Sequence, residues 1–162
     1  MKQAIIGLGS NIGERLANIQ EAVAQLADSG CNILAKSRVY QTEPWGYKEQ
    51  ADFLNAAVLL ETDASPQELL KITQGIEKSM GRDKKFLNGP RNIDLDILVY
   101  EGQEINTEVL TVPHARLHQR LFVLKPLADI APQWQIKDLG TVAELLANHD
   151  GNERVEETEL SL

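Results

Sequence analysis

The sequence predicts an α+β fold: a ferredoxin-like βαββαβ core, in which the helices pack on one face of an antiparallel sheet, followed by short C-terminal helices. Two observations carry this prediction. Strand-like runs and stretches of helical period follow each other in the order strand, helix, strand, strand, helix, strand. No repeat or linker-like segment interrupts the chain before about residue 148, and its 162 residues can form one domain with a real core.

The first half of the core begins with a strand over residues 2–8, a glycine-containing turn and a helix over residues 14–27. Residues 33–40 and 53–61 are rich in β-formers and are predicted to be strands. The polar segment between them contains proline and glycine, and its length is typical of a functional loop. The apolar face of the helix is supplied by Leu16, Ile19, Val23 and Leu26.

The second half begins with a helix whose start is marked by Ser65. Pro66 suits the first helical position, and Glu68 completes a capping box with Ser65. The elements expected after this helix are a strand, a short extended piece and two short helices, over residues 89–100, 104–106, 121–129 and 142–147.

Composition and charge exclude several classes of function. The chain is 43% hydrophobic and 25% charged, which is ordinary for a globular protein, and its net charge of −8 argues against a general nucleic-acid binder. Cys31 is the only cysteine, so neither an intrachain disulfide nor a cysteine zinc site is expected. The opening apolar run is too short for a signal peptide, and no stretch has membrane-spanning length. We expect a cytoplasmic monomer without nucleic-acid or membrane partners.

The C-terminus is acidic and poor in large apolar residues. Such composition is typical of disordered segments. We therefore expect one domain over residues 1–148 and a flexible tail over residues 149–162.

Two carboxylates interrupt the apolar strand predicted over residues 89–100. Side chains at positions i and i+2 of a strand point to the same face, so Asp94 and Asp96 lie side by side. Carboxylates at this spacing repel unless a cation lies between them, and Mg²⁺ prefers such oxygen ligands. The alternative is that both aspartates are solvated or pair with Arg91.

Cations are concentrated just before these aspartates. Arg82, Lys84, Lys85 and Arg91 face only Asp83 in this segment. A metal site beside several cations is the combination that phosphoryl transfer requires. His114 and Arg120 could extend the anion-binding wall. A basic run can also be a solvated surface.

The glycine-rich stretch GLGSNIG, residues 7–13, permits two interpretations. It resembles a dinucleotide-binding turn, which would suit an NADP-dependent oxidoreductase. The ribose-binding acid expected after the second strand is missing, and no phosphate-loop motif of the GxxxxGK type occurs. We therefore interpret the glycines as a tight strand-to-helix turn, with Ser10 or Asn11 capping the helix.

Five motifs follow each other along the chain: GLGSN near the start, T-x-P-x-G over residues 42–46, FLNAA over 53–57, GPRNIDLDIL over 89–98 and TVPH over 111–114. Together and in this order they resemble one known family, that of 6-hydroxymethyl-7,8-dihydropterin pyrophosphokinase. The resemblance covers residues 1 to about 132. It implies an enzyme of the folate pathway that transfers the β,γ-diphosphate of ATP to a pterin alcohol and releases AMP.

The resemblance also implies a role for individual residues. Two Mg²⁺ ions would be held by Asp94 and Asp96, and transfer would be assisted by Arg82, Lys84 and Arg91. The nucleotide would be bound by Gln74, Glu77, Lys84, Arg91, Ile97, Thr111, His114 and Arg120. The pterin would stack between Phe53 and Phe122, bond to Asn55 and contact Thr42 and Trp45. A noncatalytic nucleotide-binding module remains an alternative.

Overall fold

The computed structural model describes residues 1–44, 48–81 and 91–162. Its helices and strands, in chain order, are β1 (Lys2–Ser10), α1 (Arg15–Asp28), β2 (Asn32–Lys36), β3 (Tyr40–Thr42), β4 (Phe53–Thr62), α2 (Pro66–Ser79), β5 (Asp94–Tyr100), β6 (Ile105–Asn106), β7 (Thr111–Val112), α3 (Leu121–Ile130), β8 (Gln135–Ile136), β9 (Gly140–Thr141), α4 (Val142–Ala147) and β10 (Val155–Glu157). None of the helices in these residues combines the length and hydrophobicity needed to cross a membrane.

The central sheet is antiparallel, and β1 lies near its middle. Its strands are ordered β10-β3-β4-β1-β5, and β2 also pairs with β4. Ile5 and Ile6 of β1 point to opposite faces, and both are completely buried. The predicted antiparallel sheet with packed helices is therefore confirmed.

Helices cover both faces of this sheet. We expected the two long helices on one face, and α1 and α2 do pack there, over Ile6, Leu8 and Leu60. The opposite face is covered by α3 and α4, which pack Leu124 and Leu127 against Ile5. The helices after β7 thus complete a second core rather than only extending the chain. Each fully buried Leu or Ile side chain contributes about 1.5–3 kcal/mol.

The starts of the two long helices differ. Ser65 caps α2 as predicted: its Oγ accepts the Glu68 N–H at 3.1 Å, and Glu68 Oε1 accepts the Ser65 N–H at 2.9 Å. By contrast, α1 has no side-chain cap at its N-cap residue, Glu14. The interpretation of Asn11 as a helix cap is therefore wrong, because its side chain binds two other segments, as described below.

The strand expected over residues 33–40 is two strands. Ser37 separates β2 from β3, and its Oγ accepts the Ala57 N–H at 2.8 Å. Both strands nevertheless pair with β4. The extended piece near residue 105 pairs with β7 in a separate two-stranded sheet.

The acidic C-terminus is packed on the sheet, whereas its composition predicts a flexible tail. Val155 is buried, and residues 155–157 pair with residues 40–42 of β3. Beyond β10, Thr158 donates its N–H to the Val39 carbonyl at 3.0 Å. Composition alone misleads here because backbone pairing needs few apolar side chains. A domain boundary at residue 148 stays a prediction.

Candidate active site

Two glycines of β1 form the floor of a pocket on the sheet face covered by α3. Gly9 is paired with Asp94 on β5 and Asn55 on β4, and Gly7 is paired with Asp96 and Ala57. Both glycines lie inside β1 rather than in a turn, so the turn interpretation of GLGSN is wrong for them. Their missing side chains leave open space between the polar groups of the flanking strands.

The pocket includes about 700 Å³ of empty space, part of which is open solvent at its mouth. Its walls come from four strands (β1, β3, β4 and β5), from the residues that follow β3 and precede β5, and from the beginning of α3 with the residue before it. They are formed by Gly7, Leu8, Gly9, Thr42, Glu43, Phe53, Asn55, Ala56, Ala57, Arg91, Asp94, Asp96, Leu98, Arg120, Phe122, Val123 and Pro126.

Asp94 and Asp96 both line the pocket, as their alternation with Leu95 predicts. Arg91 Nη1 lies 3.2 Å from Asp94 Oδ2, so the ion pair that we considered as an alternative to metal binding is present. The buried Nε of Arg91 has no hydrogen-bond acceptor among the described residues. A buried N–H without an acceptor is costly, and an anion in the pocket would supply one.

At the other end of the pocket, away from Asp94 and Asp96, two phenylalanine rings and an asparagine amide line the cavity. Phe53 begins β4 and Phe122 lies in the first turn of α3, and both line the cavity. Asn55 donates from Nδ2 to Thr42 Oγ1 at 2.7 Å, which fixes the orientation of the amide. A Cβ atom on Gly9 would lie 2.7 Å from Asn55 Oδ1. Only glycine therefore leaves this amide in place.

Arg120 and His114 are cationic or potentially cationic groups near the aspartates. Burial lowers the pKa of the Arg120 guanidinium, whereas Asp96 acts in the opposite direction. Arg120 Cζ lies 5.6 Å from the centre of the Phe122 ring. Burial, followed by the charge of Arg120, also lowers the pKa of His114. His114 is therefore neutral near pH 7.

Several predicted nucleotide residues lie outside this pocket. Glu77 is buried on α2, and its carboxylate accepts the Leu95 N–H at 2.9 Å. Ile97 faces the core under α1 and α2, away from the aspartates. The others are Gln74, which is exposed on α2, and two half-buried residues: Thr111 in β7 and His114 just after it. Arg82, Lys84 and Trp45 lie outside the described residues.

Asn11 is a site residue that sequence reasoning missed. Its Oδ1 accepts the Arg91 N–H at 2.8 Å, and its N–H donates to the Arg91 carbonyl at 3.0 Å. Its Nδ2 donates to Gln50 Oε1 at 2.8 Å and to the Ala51 carbonyl at 3.0 Å. This buried amide joins the segments on either side of the pocket mouth. The motif GLGSN contained the signal, but the partners are distant in sequence.

Two carboxylates can provide only part of a metal shell. No group of three or more His, Cys, Asp or Glu side chains with metal-binding geometry occurs within residues 1–44, 48–81 and 91–162. Mg²⁺ commonly takes one or two protein carboxylates and completes its shell with water and phosphate oxygens. The pair formed by Asp94 and Asp96 therefore fits Mg²⁺ bound together with a phosphate ligand, and does not fit a metal held by protein alone.

Comparison with known proteins decides the family. The family model for 7,8-dihydro-6-hydroxymethylpterin-pyrophosphokinase (HPPK) matches residues 5–132. The chain belongs to this family. It is therefore an enzyme, a diphosphotransferase that transfers the diphosphate of ATP to a hydroxymethyldihydropterin in folate synthesis. The alternative of an NADP-dependent oxidoreductase is wrong.

Individual relatives agree with this assignment. The chain is 46% identical over 159 residues to the 2-amino-4-hydroxy-6-hydroxymethyldihydropteridine pyrophosphokinase of Methylorubrum extorquens, covering 96% of this chain and 100% of the relative. It is 49% identical over 131 residues to the enzyme of that name from Bacillus subtilis, covering 80% and 78%. The solved Plasmodium falciparum HPPK-DHPS wild type with pteroate shares the fold, with a TM-score of 0.73 at 17% identity. That match covers 90% of this chain and 42% of the longer Plasmodium chain.

Proposed function

We propose that the pocket over Gly7 and Gly9 is the site where this HPPK transfers the diphosphate of ATP to the pterin hydroxymethyl group. The observation that carries the proposal is the pairing of Asp94 and Asp96 with these glycines, which leaves two carboxylates facing open space. We also propose that β5, β1, β4 and β2, with α1 and α2, form a ferredoxin-like core. The antiparallel order of these strands supports that assignment.

The pterin is placed between Phe53 and Phe122. A flat heterocycle gains from stacking on aromatic rings, and both rings line the same cavity. Asn55, which Thr42 orients, offers an amide to the polar edge of the ring. Trp45 is proposed as a further contact and lies outside the described residues. These interactions fix the hydroxymethyl group relative to the aspartates.

The ATP phosphates are placed beside Asp94, Asp96 and Arg91. We propose two Mg²⁺ ions held by the two carboxylates, which would neutralise phosphate charge and orient the phosphate oxygens. Arg91 would give its buried Nε–H to a phosphate oxygen. Arg120 lies in the same wall and adds positive charge.

The remaining nucleotide contacts are proposed along the outer edge of β5. There His114 donates its backbone N–H to the Leu98 carbonyl at 2.8 Å, and Glu77 binds the Leu95 N–H. The remaining residues proposed to contact ATP are Gln74, Ile97, Thr111 and Lys84. Lys84 is also proposed to assist the transfer, together with Arg82.

The proposed reaction is in-line attack of the pterin hydroxymethyl oxygen on the β-phosphorus of ATP. A bond forms between this oxygen and the β-phosphorus, the bond from that phosphorus to the α,β-bridging oxygen breaks, AMP leaves, and the hydroxyl proton of the pterin alcohol is released to water. The protein contributes by positioning the two substrates and by balancing charge with Arg91 and Arg120. The loose transition state of phosphoryl transfer needs little help from a general base.

Replacing Asp96 tests the proposal. Asp96→Ala should abolish AMP release from ATP and hydroxymethyldihydropterin in the presence of Mg²⁺, while thermal unfolding stays cooperative. Asp63→Ala is the matched control, because the Asp63 side chain is 82% exposed and its ion pair is with the N-terminal ammonium, at 3.6 Å. Full activity of Asp96→Ala would contradict the proposed metal site.

The alternative of a noncatalytic nucleotide-binding module is wrong, because the chain belongs to a family of enzymes. The ion pair of Arg91 and Asp94 lies within the proposed active site. We further propose that the enzyme acts as a cytoplasmic monomer. Light scattering of the purified chain at micromolar concentration tests the oligomeric state, and a mass of twice 18.0 kDa would contradict it.

A further inference from the structure

The C-terminal strand lies directly beside the proposed pterin end of the pocket. β10 pairs with β3, and Val155 is in register with Thr42, which lines the pocket. Residues 149–162 are outside the segment 5–132 that the family model matches. The proposed chemistry uses none of them, so their position needs a separate explanation.

Arg154 directly precedes β10 and contacts two residues beside the pocket, Glu43 and Asp52. Its backbone N–H donates to Glu43 Oε1 at 3.2 Å, and its carbonyl accepts the Glu43 N–H at 3.2 Å. Its guanidinium binds both oxygens of Asp52, with Nη1–Oδ2 at 2.9 Å and Nη2–Oδ1 at 3.1 Å. Two parallel bonds of this kind fix orientation as well as distance. The guanidinium also lowers the pKa of the Asp52 carboxyl.

The two partners of Arg154 adjoin pocket residues. Glu43 follows Thr42 and itself lines the pocket, whereas Asp52 precedes Phe53. Thr42 and Phe53 are paired across β3 and β4. Arg154 therefore holds the chain at both points, where it leaves β3 and where it enters β4.

The other contacts of the 48–52 segment act on different atoms. Arg15 Nη1 binds the Asp52 carbonyl at 3.0 Å, and Asn11 binds Gln50 and the Ala51 carbonyl. The Asp52 carboxylate is bound by Arg154 and more weakly by Gln41 Nε2 at 3.4 Å. Loss of the Arg154 side chain leaves this carboxylate with only the weaker of these two contacts.

We propose that Arg154 is a positioning residue for the pterin end of the pocket, acting through Asp52 and Glu43. This inference rests on the proposed function, because it assigns Phe53 and Thr42 to the pterin. Arg154 does not touch the substrate in this arrangement. Its loss changes the placement of the pocket wall and leaves the phosphate end, more than one strand away, unaltered.

The test compares KM for the two substrates. Arg154→Ala should raise KM for hydroxymethyldihydropterin about fivefold, a modest effect because the ion pair is partly exposed. The KM for ATP should stay within about twofold, because Asp94, Asp96 and Arg91 are untouched. Arg154→Lys keeps the charge but loses the bidentate geometry, so it should restore only part of the pterin affinity.

A control variant separates this effect from loss of stability. Glu157 lies in β10 and forms an ion pair with Arg38, away from Asp52. Glu157→Gln breaks this ion pair. It should leave both KM values unchanged. Equal changes in both KM values for Arg154→Ala, or the same pterin effect in Glu157→Gln, would mean that Arg154 is only structural.

A double-mutant cycle with Asp52→Asn tests the route of the effect. Asp52→Asn alone should reproduce the rise in pterin KM, and the double variant should be no worse than the more affected single variant. Additive losses would overturn the inference. If Arg154→Ala does not fold, Asp52→Asn and Arg154→Lys test the inference in its place.

The failure of this inference can be distinguished from the failure of the proposed function. If the wild-type enzyme releases no AMP, the proposed function fails. If it releases AMP but the pterin KM is unchanged in Arg154→Ala, Arg154→Lys and Asp52→Asn, only the role of Arg154 fails.

Discussion

Gly9→Ala should separate substrate binding from stability. Gly9 lies in the middle of the pocket floor, between Asp94 and Asn55. A Cβ atom there would lie 2.7 Å from Asn55 Oδ1 and 3.5 Å from Phe53 Cδ1. The first distance is too short for a non-bonded contact, so the Asn55 amide must turn away.

The magnitude follows from what Asn55 loses. Its hydrogen bond to Thr42, 2.7 Å long, fixes the amide, and a rotated amide would lose both this bond and the proposed bond to the pterin. A hydrogen bond left unmade in a buried site costs about 1–3 kcal/mol, which corresponds to roughly a 5- to 150-fold loss of pterin affinity. The cost in stability should be about 1 kcal/mol, because the end of one flexible side chain can move.

Pterin affinity and unfolding should be measured on the same preparations. Fluorescence titration with the pterin, in the presence of a nonhydrolysable ATP analogue and Mg²⁺, gives the affinity. Urea unfolding gives the stability. Gly7→Ala is the comparison variant, because the atoms nearest to its Cβ would be those of the flexible Leu98 side chain, at 3.3–3.4 Å. It should weaken pterin binding less than Gly9→Ala does.

The contribution of Asn55 can be isolated with a double variant. If Gly9→Ala acts by displacing Asn55, then Gly9→Ala combined with Asn55→Ala should bind the pterin no more weakly than Asn55→Ala alone. Unchanged pterin affinity in Gly9→Ala, or losses that add in the double variant, would refute the reasoning.

Three further predictions concern stability. Asn11→Ala should lower the free energy of unfolding by about 2–3 kcal/mol, because it leaves the Arg91 N–H without its acceptor; urea unfolding against Asn18→Ala, whose amide bonds are more exposed, checks this. Ser65→Ala should cost about 1 kcal/mol through loss of the α2 cap and leave both KM values unchanged; a change in either would contradict a purely structural role. His114→Gln should flatten the pH dependence of stability below about pH 6.5. The pKa of His114 is lowered in the folded protein, so the unfolded chain takes up the proton first and the wild type loses stability as the pH falls. Urea titrations between about pH 5 and 8 should show this, and equal slopes for both proteins would contradict it.

Features set by local rules could be predicted from the sequence. The common face of Asp94 and Asp96 follows from the two-residue period of a strand, and the cap at Ser65 follows from a four-residue pattern. The pairing of these aspartates with Gly9 and Gly7 depends on the register between β1 and β5, which no local pattern contains. The motif resemblance predicts roles for Asp94 and Asp96, and the strand register shows that glycines lie opposite both of them.

Features that depend on distant contacts were missed. The contacts of Asn11 join residues 39 to 80 positions away, so its role could not be distinguished from helix capping. The helices on the second face had a signal in β4, where FLNAAVLLET is apolar on both sides, as in strands buried on both faces. In the C-terminal segment, the contacts of Val155 and Arg154 outweigh the acidic composition.

The carboxylate of Glu77 has a consequence for association between molecules. β5 ends the strand order of the described sheet, and an edge strand with free N–H groups invites a strand from another copy to add to it. Glu77 occupies the Leu95 N–H from within the same chain. An incoming backbone would have to displace a buried acid to continue the sheet, so edge-to-edge aggregation is disfavoured at the strand that carries the two pocket aspartates.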